Sequence, residues 1–165
     1  MTFSRTFPVY HPRAGQQTYF VEKIWNSIGF ENAIESKFNE VYSLTGYTED
    51  FIQSFFNTLG NDINKKHHTI RAGHRWKVGD WFSPRVWSGK PYNSKQIIIA
   101  PDIQVKKVWN LYQDEYKWEF PGTATLETLA ENDGLSTVDF LDWFQQCPGK
   151  VFDGQIICWN ESIEY

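Results

Sequence analysis

The chain has 165 residues, 41% hydrophobic and 22% charged, with a formal charge of −4 at pH 7, which suits one domain with a real core and falls short of the usual length for two. No segment approaches the roughly 18 apolar residues of a membrane span, and the opening MTFSRTFPVYHPRAGQQ, broken by Pro8, His11, Pro12 and Arg13, reads neither as a signal peptide nor as an anchor. The two cysteines, Cys147 and Cys158, point to reduced thiols and a cytoplasmic protein rather than a disulfide scaffold.

The first 60 residues read as helical. Phe20, Val21, Ile24, Trp25 and Ile28 recur at helical spacing, as do Phe51, Ile52, Phe55, Phe56 and Leu59, each set forming an apolar stripe. Thr48, followed by Glu49 and Asp50, predicts the start of the second helix, and a shorter helix is expected over Glu31 to Val41. Beyond Leu59-Gly60-Asn61 the period changes to two. Trp81 to Trp87 alternates, with Phe82 and Val86 on one side and Trp81, Arg85 and Trp87 on the other, while Pro84 implies an edge strand or a bulge. After the turn-rich loop Ser88 to Asn93, strands are expected over Gln96 to Ala100, Gln104 to Tyr112 and Gly154 to Trp159.

A second helical insert interrupts these strands. Leu126, Leu129 and Ala130 mark a helix that Asn132-Asp133-Gly134 ends, since glycine takes the left-handed conformation after a helix readily. Ser136 with Asp139 three residues on predicts a capping box for a helix carrying Val138, Phe140, Leu141, Trp143 and Phe144. A single α+β domain results, a small mixed barrel flanked by helices.

Charge is concentrated where the helices give way to strands. Residues 65–77, KKHHTIRAGHRWK, hold five of the sixteen Lys and Arg and three of the four His, without one acid. In a chain of negative net charge such a patch faces an anion. Arg71, His74, Arg75 and Lys77, with Lys90 in the later loop, are placed to meet phosphates, and Trp76, Trp81 or Trp87 to stack on an unpaired base. Aromatics make up 18% of the chain, more than a plain core requires, although any single Trp is more often core than ligand contact.

The same segment admits chemistry. Lys66, Thr69 and Arg71 form K-x-x-T-x-R. A neutral lysine, its pKa lowered by burial or by neighbouring cations such as Lys65 and Arg71, can deprotonate a threonine hydroxyl. On a strand Thr69 and Arg71 share a face, so Lys66 needs a bend to join them, which His67-His68 leaves open. The bland alternative is a solvated cationic strand. A metal site is disfavoured, because His67, His68 and His74 have no Cys, Asp or Glu among them to complete a sphere; the first two read as hydrogen-bonding residues at the mouth of a site. No cofactor motif is recognised.

Lys66-His67-His68-Thr69-Ile70-Arg71, then Trp76-Lys77-Val78-Gly79-Asp80, then the helix pair Ala124 to Glu131 and Asp133 to Phe144, resemble in order and type the signature of ASCH domains, the activating-signal-cointegrator homology branch of the PUA-like fold. The resemblance covers residues 64–160 and implies a PUA-like mixed β-barrel, with residues 1–60 as a helical extension packed on it in one domain. The opening Tyr10 to Gln16 is similar to the leader of longer bacterial and phage members. Binding of RNA, or of a modified nucleoside or nucleotide, is what the family implies, with His68, Arg71, Trp76 and Trp87 in the cleft. A small bacterial branch hydrolyses N(4)-acetylcytidine with a Lys, a Thr and a Glu. By position these fall on Lys66, Thr69 and Asp133, so this chain carries Asp where the branch carries Glu; Glu131 lies two residues earlier. The implied alternative is therefore an amidohydrolase of acylated nucleobases. In it Lys66 deprotonates Thr69 for attack on the amide carbon, Arg71 or backbone amides hold the oxyanion, and Asp133 positions Lys66 or assists deacylation.

Overall fold

The computed structural model describes residues 1–29, 65–114, 117–144 and 151–165. The helices expected over Glu31 to Val41 and Phe51 to Leu59, and Cys147, lie outside the described residues.

Helix α1 (Phe20–Ile28) buries Phe20, Val21, Ile24 and Trp25 of the predicted stripe and leaves Ile28, its last member, half-buried. Thr18 Oγ1 accepts the Phe20 N–H at its start, and Trp25 Nε1 donates to the Ile99 carbonyl at 2.7 Å, which ties the helix to the β region. Eight strands follow among the described residues: β1 (His68–Ala72), β2 (Trp81–Phe82), β3 (Arg85–Trp87), β4 (Gln96–Ile98), β5 (Ile103–Gln104), β6 (Lys107–Gln113), β7 (Trp118–Glu119) and β8 (Phe152–Cys158). Helices α2 (Leu126–Asn132) and α3 (Thr137–Phe144) stand between β7 and β8.

The main sheet has the order β1-β8-β6-β7, with every pair antiparallel. Its inner strand β8 pairs on both sides, Ile157 opposite Thr69 and Val108, and Ile156, Ile157 and Cys158 are fully buried. Gly154 allows the close approach of β1 to β8, because a Cβ there would lie 2.2 Å from the Arg71 carbonyl oxygen.

Among the described residues the expected mixed barrel is not closed. The fold is α+β, and its remaining ladders, β2 with β5 and β3 with β4, are separate antiparallel pairs. Pro84, which has no N–H to give a ladder, divides the predicted strand Trp81 to Trp87 into β2 and β3. The strand expected over Gln104 to Tyr112 likewise divides into β5 and β6. The chain start adds to the β3 edge in parallel, with Phe3 N–H donating to Arg85 O at 2.7 Å and Arg85 N–H to Met1 O at 2.8 Å.

The helix pair follows its sequence signals. Thr125 and Thr128 cap α2 reciprocally, the Thr128 N–H donating to Thr125 Oγ1 and the Thr125 N–H to Thr128 Oγ1. Gly134, at φ +74°, turns the chain out of α2, and Ser136 Oγ accepts the Asp139 N–H to open α3. Much of the aromatic excess is core: Phe140 packs on Phe144 and Trp118, Phe3 on Phe82 and Trp159, and Trp143 on Phe7 and Phe20.

Candidate functional site

The polar groups of interest fall into two regions, a sealed ion pair beside α2 and an open face of arginines and aromatic rings.

Lys66 precedes β1, where its N–H donates to Lys23 O of α1. The His67 N–H donates to Asn132 O, which pins this stretch to the end of α2 and brings Lys66 over Asp133. Lys66 Nζ donates to Asp133 Oδ1 and to Asp133 O, each at 2.7 Å, and sits 4.1 Å from the Phe20 ring centroid. The side chains of Lys66 and Asp133 are only 1% and 7% exposed. His68, fully buried, places Nδ1 3.5 Å from Asp133 Oδ1, too long and misaligned for a good hydrogen bond.

Burial pushes the Lys66 pKa down to about 8, with Arg71 and Lys23 adding to the effect while Asp133 opposes it. Burial by itself would raise the Asp133 carboxyl; the Lys66 ammonium outweighs it and holds the group below its ordinary value. The pair is thus ionised at neutral pH, and its ammonium gives up its proton far more readily than an ordinary lysine. His68 is held neutral by burial.

Thr69 lies on β1, buried, and strand alternation turns it to the face opposite His68. Its hydroxyl makes no hydrogen bond to Lys66 or Asp133. The structure therefore brings together Lys66, Asp133 and His68 and leaves Thr69 apart from their hydrogen-bond network. Glu131, the other nearby acid, is exposed on α2.

Arg71 shares the Thr69 face and reaches the second region. Its Nη2 donates to Thr2 O at 2.6 Å, its guanidinium lies 5.5 Å from the Phe3 ring centroid, and its buried Nε has no acceptor among the described residues. Arg71, Arg75 and Arg85 line a cavity of about 460 Å³ together with Trp76 and Trp81. Trp76 is held by Gln155, which bonds both its N–H and its carbonyl, and packs edge-on to Phe82. Arg75 lies 5.5 Å from the Trp76 ring centroid. The W-x-x-G-D segment is a turn: Asp80 Oδ2 accepts the Lys77 N–H, the Asp80 N–H donates to Lys77 O, and Gly79 takes φ +93°. This turn leaves Lys77 exposed beside the cavity residues in sequence. Trp87 lines a different cavity, of about 290 Å³, with Arg71 and Tyr92, and Lys90 is exposed in the loop next to it.

His74 is engaged elsewhere. Its Nε2 faces Asp153 Oδ1 at 2.8 Å and its Nδ1 faces Asn110 Oδ1 at 3.2 Å, so a carboxylate already stands where a phosphate was expected. Among the described residues no group of three or more His, Cys, Asp or Glu is placed to hold a metal ion, and no helix is long and apolar enough to cross a membrane. Cys158 is a buried free thiol, its pKa pushed up to about 11 by burial.

Sequence reasoning missed Arg85 as a site residue, although the alternation that set Trp81, Arg85 and Trp87 on one side was the signal for it. It also missed Phe20 under Lys66 and the wall supplied by Thr2, for which a local pattern holds no signal. The fold and site thus define an α+β protein with a cationic, aromatic-lined face. Set against known families, characterised proteins and solved structures, the chain matches none.

Proposed function

We propose that the protein binds RNA or a modified nucleotide on the face of Arg71, Arg75 and Arg85, as a member of the ASCH branch of the PUA-like superfamily. The observation that carries this reading is the pairing of charges. Arg13, Lys66, Lys106, Lys107 and Lys117 each meet a carboxylate. Arg71, Arg75 and Arg85 gather around one cavity with no carboxylate in ion-pair range among the described residues. In a chain of charge −4, acids to pair them are plentiful, and cations kept clear of them beside tryptophans suit phosphates and stacked bases. The order of the K-x-x-T-I-R strand, W-x-x-G-D turn and helix pair supports the family, and a cytoplasmic location suits such a ligand.

The test is fluorescence titration of single-stranded RNA across a salt series. Affinity falls as salt rises, and Arg75→Ala and Arg85→Ala each flatten the logarithmic slope by about 0.7, the value for one phosphate of a single strand. A salt-independent affinity, or slopes unmoved by both variants, would overturn the reading.

A second reading, amidohydrolysis of an N(4)-acylated cytidine or similar acylated nucleobase, is favoured by the Lys66–Asp133 contact and the lowered Lys66 pKa. The Lys66–Asp133 hydrogen bond supports it, while the Thr69 hydroxyl makes no hydrogen bond to either residue and gives it no support. Turnover of acylated cytidines, lost in Lys66→Ala and Thr69→Ala variants that remain folded, would support it; no product from such a panel would exclude it.

A further inference from the structure

Arg71 is the partition between two cavities. It lines the one of about 290 Å³ that holds Trp87 and Tyr92, and it lines the one of about 460 Å³ that holds Trp76 and Trp81; Thr2 is its companion in both walls. A guanidinium flanked on two sides by aromatic-lined hollows matches the layout of a phosphodiester with a nucleoside on either side.

The rings are presented accordingly. Trp81 is 63% exposed and Tyr92 is 88% exposed, unlike Trp25 and Trp159, which belong to the core. Tyr92 lies 5.4 Å from Trp87 between ring centroids, at an interplanar angle of 51°. Its backbone has φ +64°, a left-handed conformation that disfavours a bulky side chain. Local bonds in the loop hold it there: the Asn93 N–H donates to Lys90 O, the Gly89 N–H donates to Ser94 Oγ, and Ser94 Oγ donates in turn to Lys90 O. The loop maintains an unfavourable backbone and an uncovered ring at the mouth of a cavity that contains an arginine. Neither feature serves the core.

We infer that the ligand is a dinucleotide step of a single RNA strand, its bridging phosphate on Arg71, one base against Trp87 and Tyr92 and the other against Trp81. This rests on the nucleotide-binding reading above and sharpens it from a nucleotide to two consecutive ones. Each cavity alone is near the small end of ligand sites, about 300 Å³ upward, and accommodates one nucleoside.

The test compares uridylyl-uridine with uridine 3′-monophosphate, with hexauridylate as the longer arm, at one salt concentration. The dinucleotide carries the smaller charge, so a site that reads charge alone prefers the mononucleotide. The inference predicts the reverse, with the dinucleotide at least about tenfold tighter, the contribution of one more stacked base. Tyr92→Ala and Trp81→Ala, both at exposed positions, each weaken the dinucleotide about tenfold, and Tyr92→Phe restores binding. Equal or tighter binding of the mononucleotide would overturn the dinucleotide step and leave the nucleotide reading standing, as would an unaltered affinity in Tyr92→Ala. If none of the three ligands binds, both fall.

Discussion

The Lys66 ammonium donates to the side chain and to the main-chain oxygen of the same residue, Asp133, at 2.7 Å each, in a place from which both side chains are almost shut off from water. An ion pair so placed gives little net stability, since desolvation offsets its Coulomb attraction, but breaking it leaves a charge buried and unmatched. Asp133→Ala is therefore expected to cost about 3–5 kcal/mol in urea denaturation. The double change Lys66→Met with Asp133→Leu removes both charges and should recover most of that loss. A double variant no more stable than Asp133→Ala would mean that the pair is not the source of the cost.

The pair also sets a pH dependence. Folding moves the Lys66 pKa from its ordinary 10.5 down to about 8, so between these values the unfolded chain carries a proton that the folded chain has released. Stability then rises with pH across that window, by the linkage between proton uptake and unfolding. Below about 8 both states are protonated and Lys66 contributes no slope. Asp133 acts at the other end: its folded value lies below the ordinary 3.8, so its contribution is present above 3.8 and is lost as pH falls through the folded value. Unfolding midpoints measured from pH 7 to 10.5 should climb in the native chain relative to Lys66→Met. Parallel profiles would refute the assignment.

Gly134 is the point where α2, Lys23 and Lys66 meet. At φ +74° a Cβ would stand 3.1 Å from Lys23 Cδ and 3.3 Å from Lys66 Cβ, and Lys23 Nζ bonds to the Gly134 carbonyl at 2.6 Å. Gly134→Ala is expected to cost about 1–2 kcal/mol from the left-handed backbone, with a further loss because both lysine stems must yield. Thermal unfolding reads the cost. An NMR titration of the lysine side chains should then report a changed Lys66 pKa, since the Asp133 contact is disturbed.

How far the sequence could be read depended on the range of each interaction. The α1 stripe, the Gly134 exit and the Ser136–Asp139 cap rest on residues within a turn of one another, and each is found where its pattern placed it. Whether Asp133 reaches Lys66 stays open in the sequence, because two residues 67 positions apart leave no local trace of their contact. The sequence carries no signal for the pairing of β2 with β5 and β3 with β4, ladders of two and three residues that Pro84 keeps apart on the β2–β3 side. The base-facing roles given to Trp76 and Trp87 treated the two as one cleft. They line different cavities, which have Arg71 and Thr2 in common. His74 was read by composition as part of a basic rim, and only the fold brings Asp153 of β8 against it.

Asp139 joins the chain start to α3. Arg13 Nη1 bonds to Asp139 Oδ2 at 2.7 Å, Ser136 Oγ donates to the same oxygen at 2.9 Å, and His11 Nε2 faces the Asp139 carbonyl at 3.2 Å. The Arg13 N–H donates to His11 Nδ1, so that nitrogen is an acceptor; the proton of a neutral ring then sits on Nε2 and is given to the Asp139 carbonyl. The residues resembling a leader are thus fastened through two different groups of one aspartate. Arg13 is 43% exposed along its side chain, so solvent screens its share to about 0.5–1 kcal/mol. A double-mutant cycle of Arg13→Ala with Asp139→Asn should give a coupling of that size and no larger. Asp139→Asn keeps the carbonyl that meets His11, and the N–H that Ser136 caps, so it should preserve the docking of residues 7–16 while abolishing the charge coupling. Hydrogen exchange at the Gly15 and Gln16 amides, which bond to Phe7 O and Arg13 O, reads that docking. Fast exchange there in Asp139→Asn would mean that the Arg13 charge pair, rather than the His11 contact, holds the segment in place.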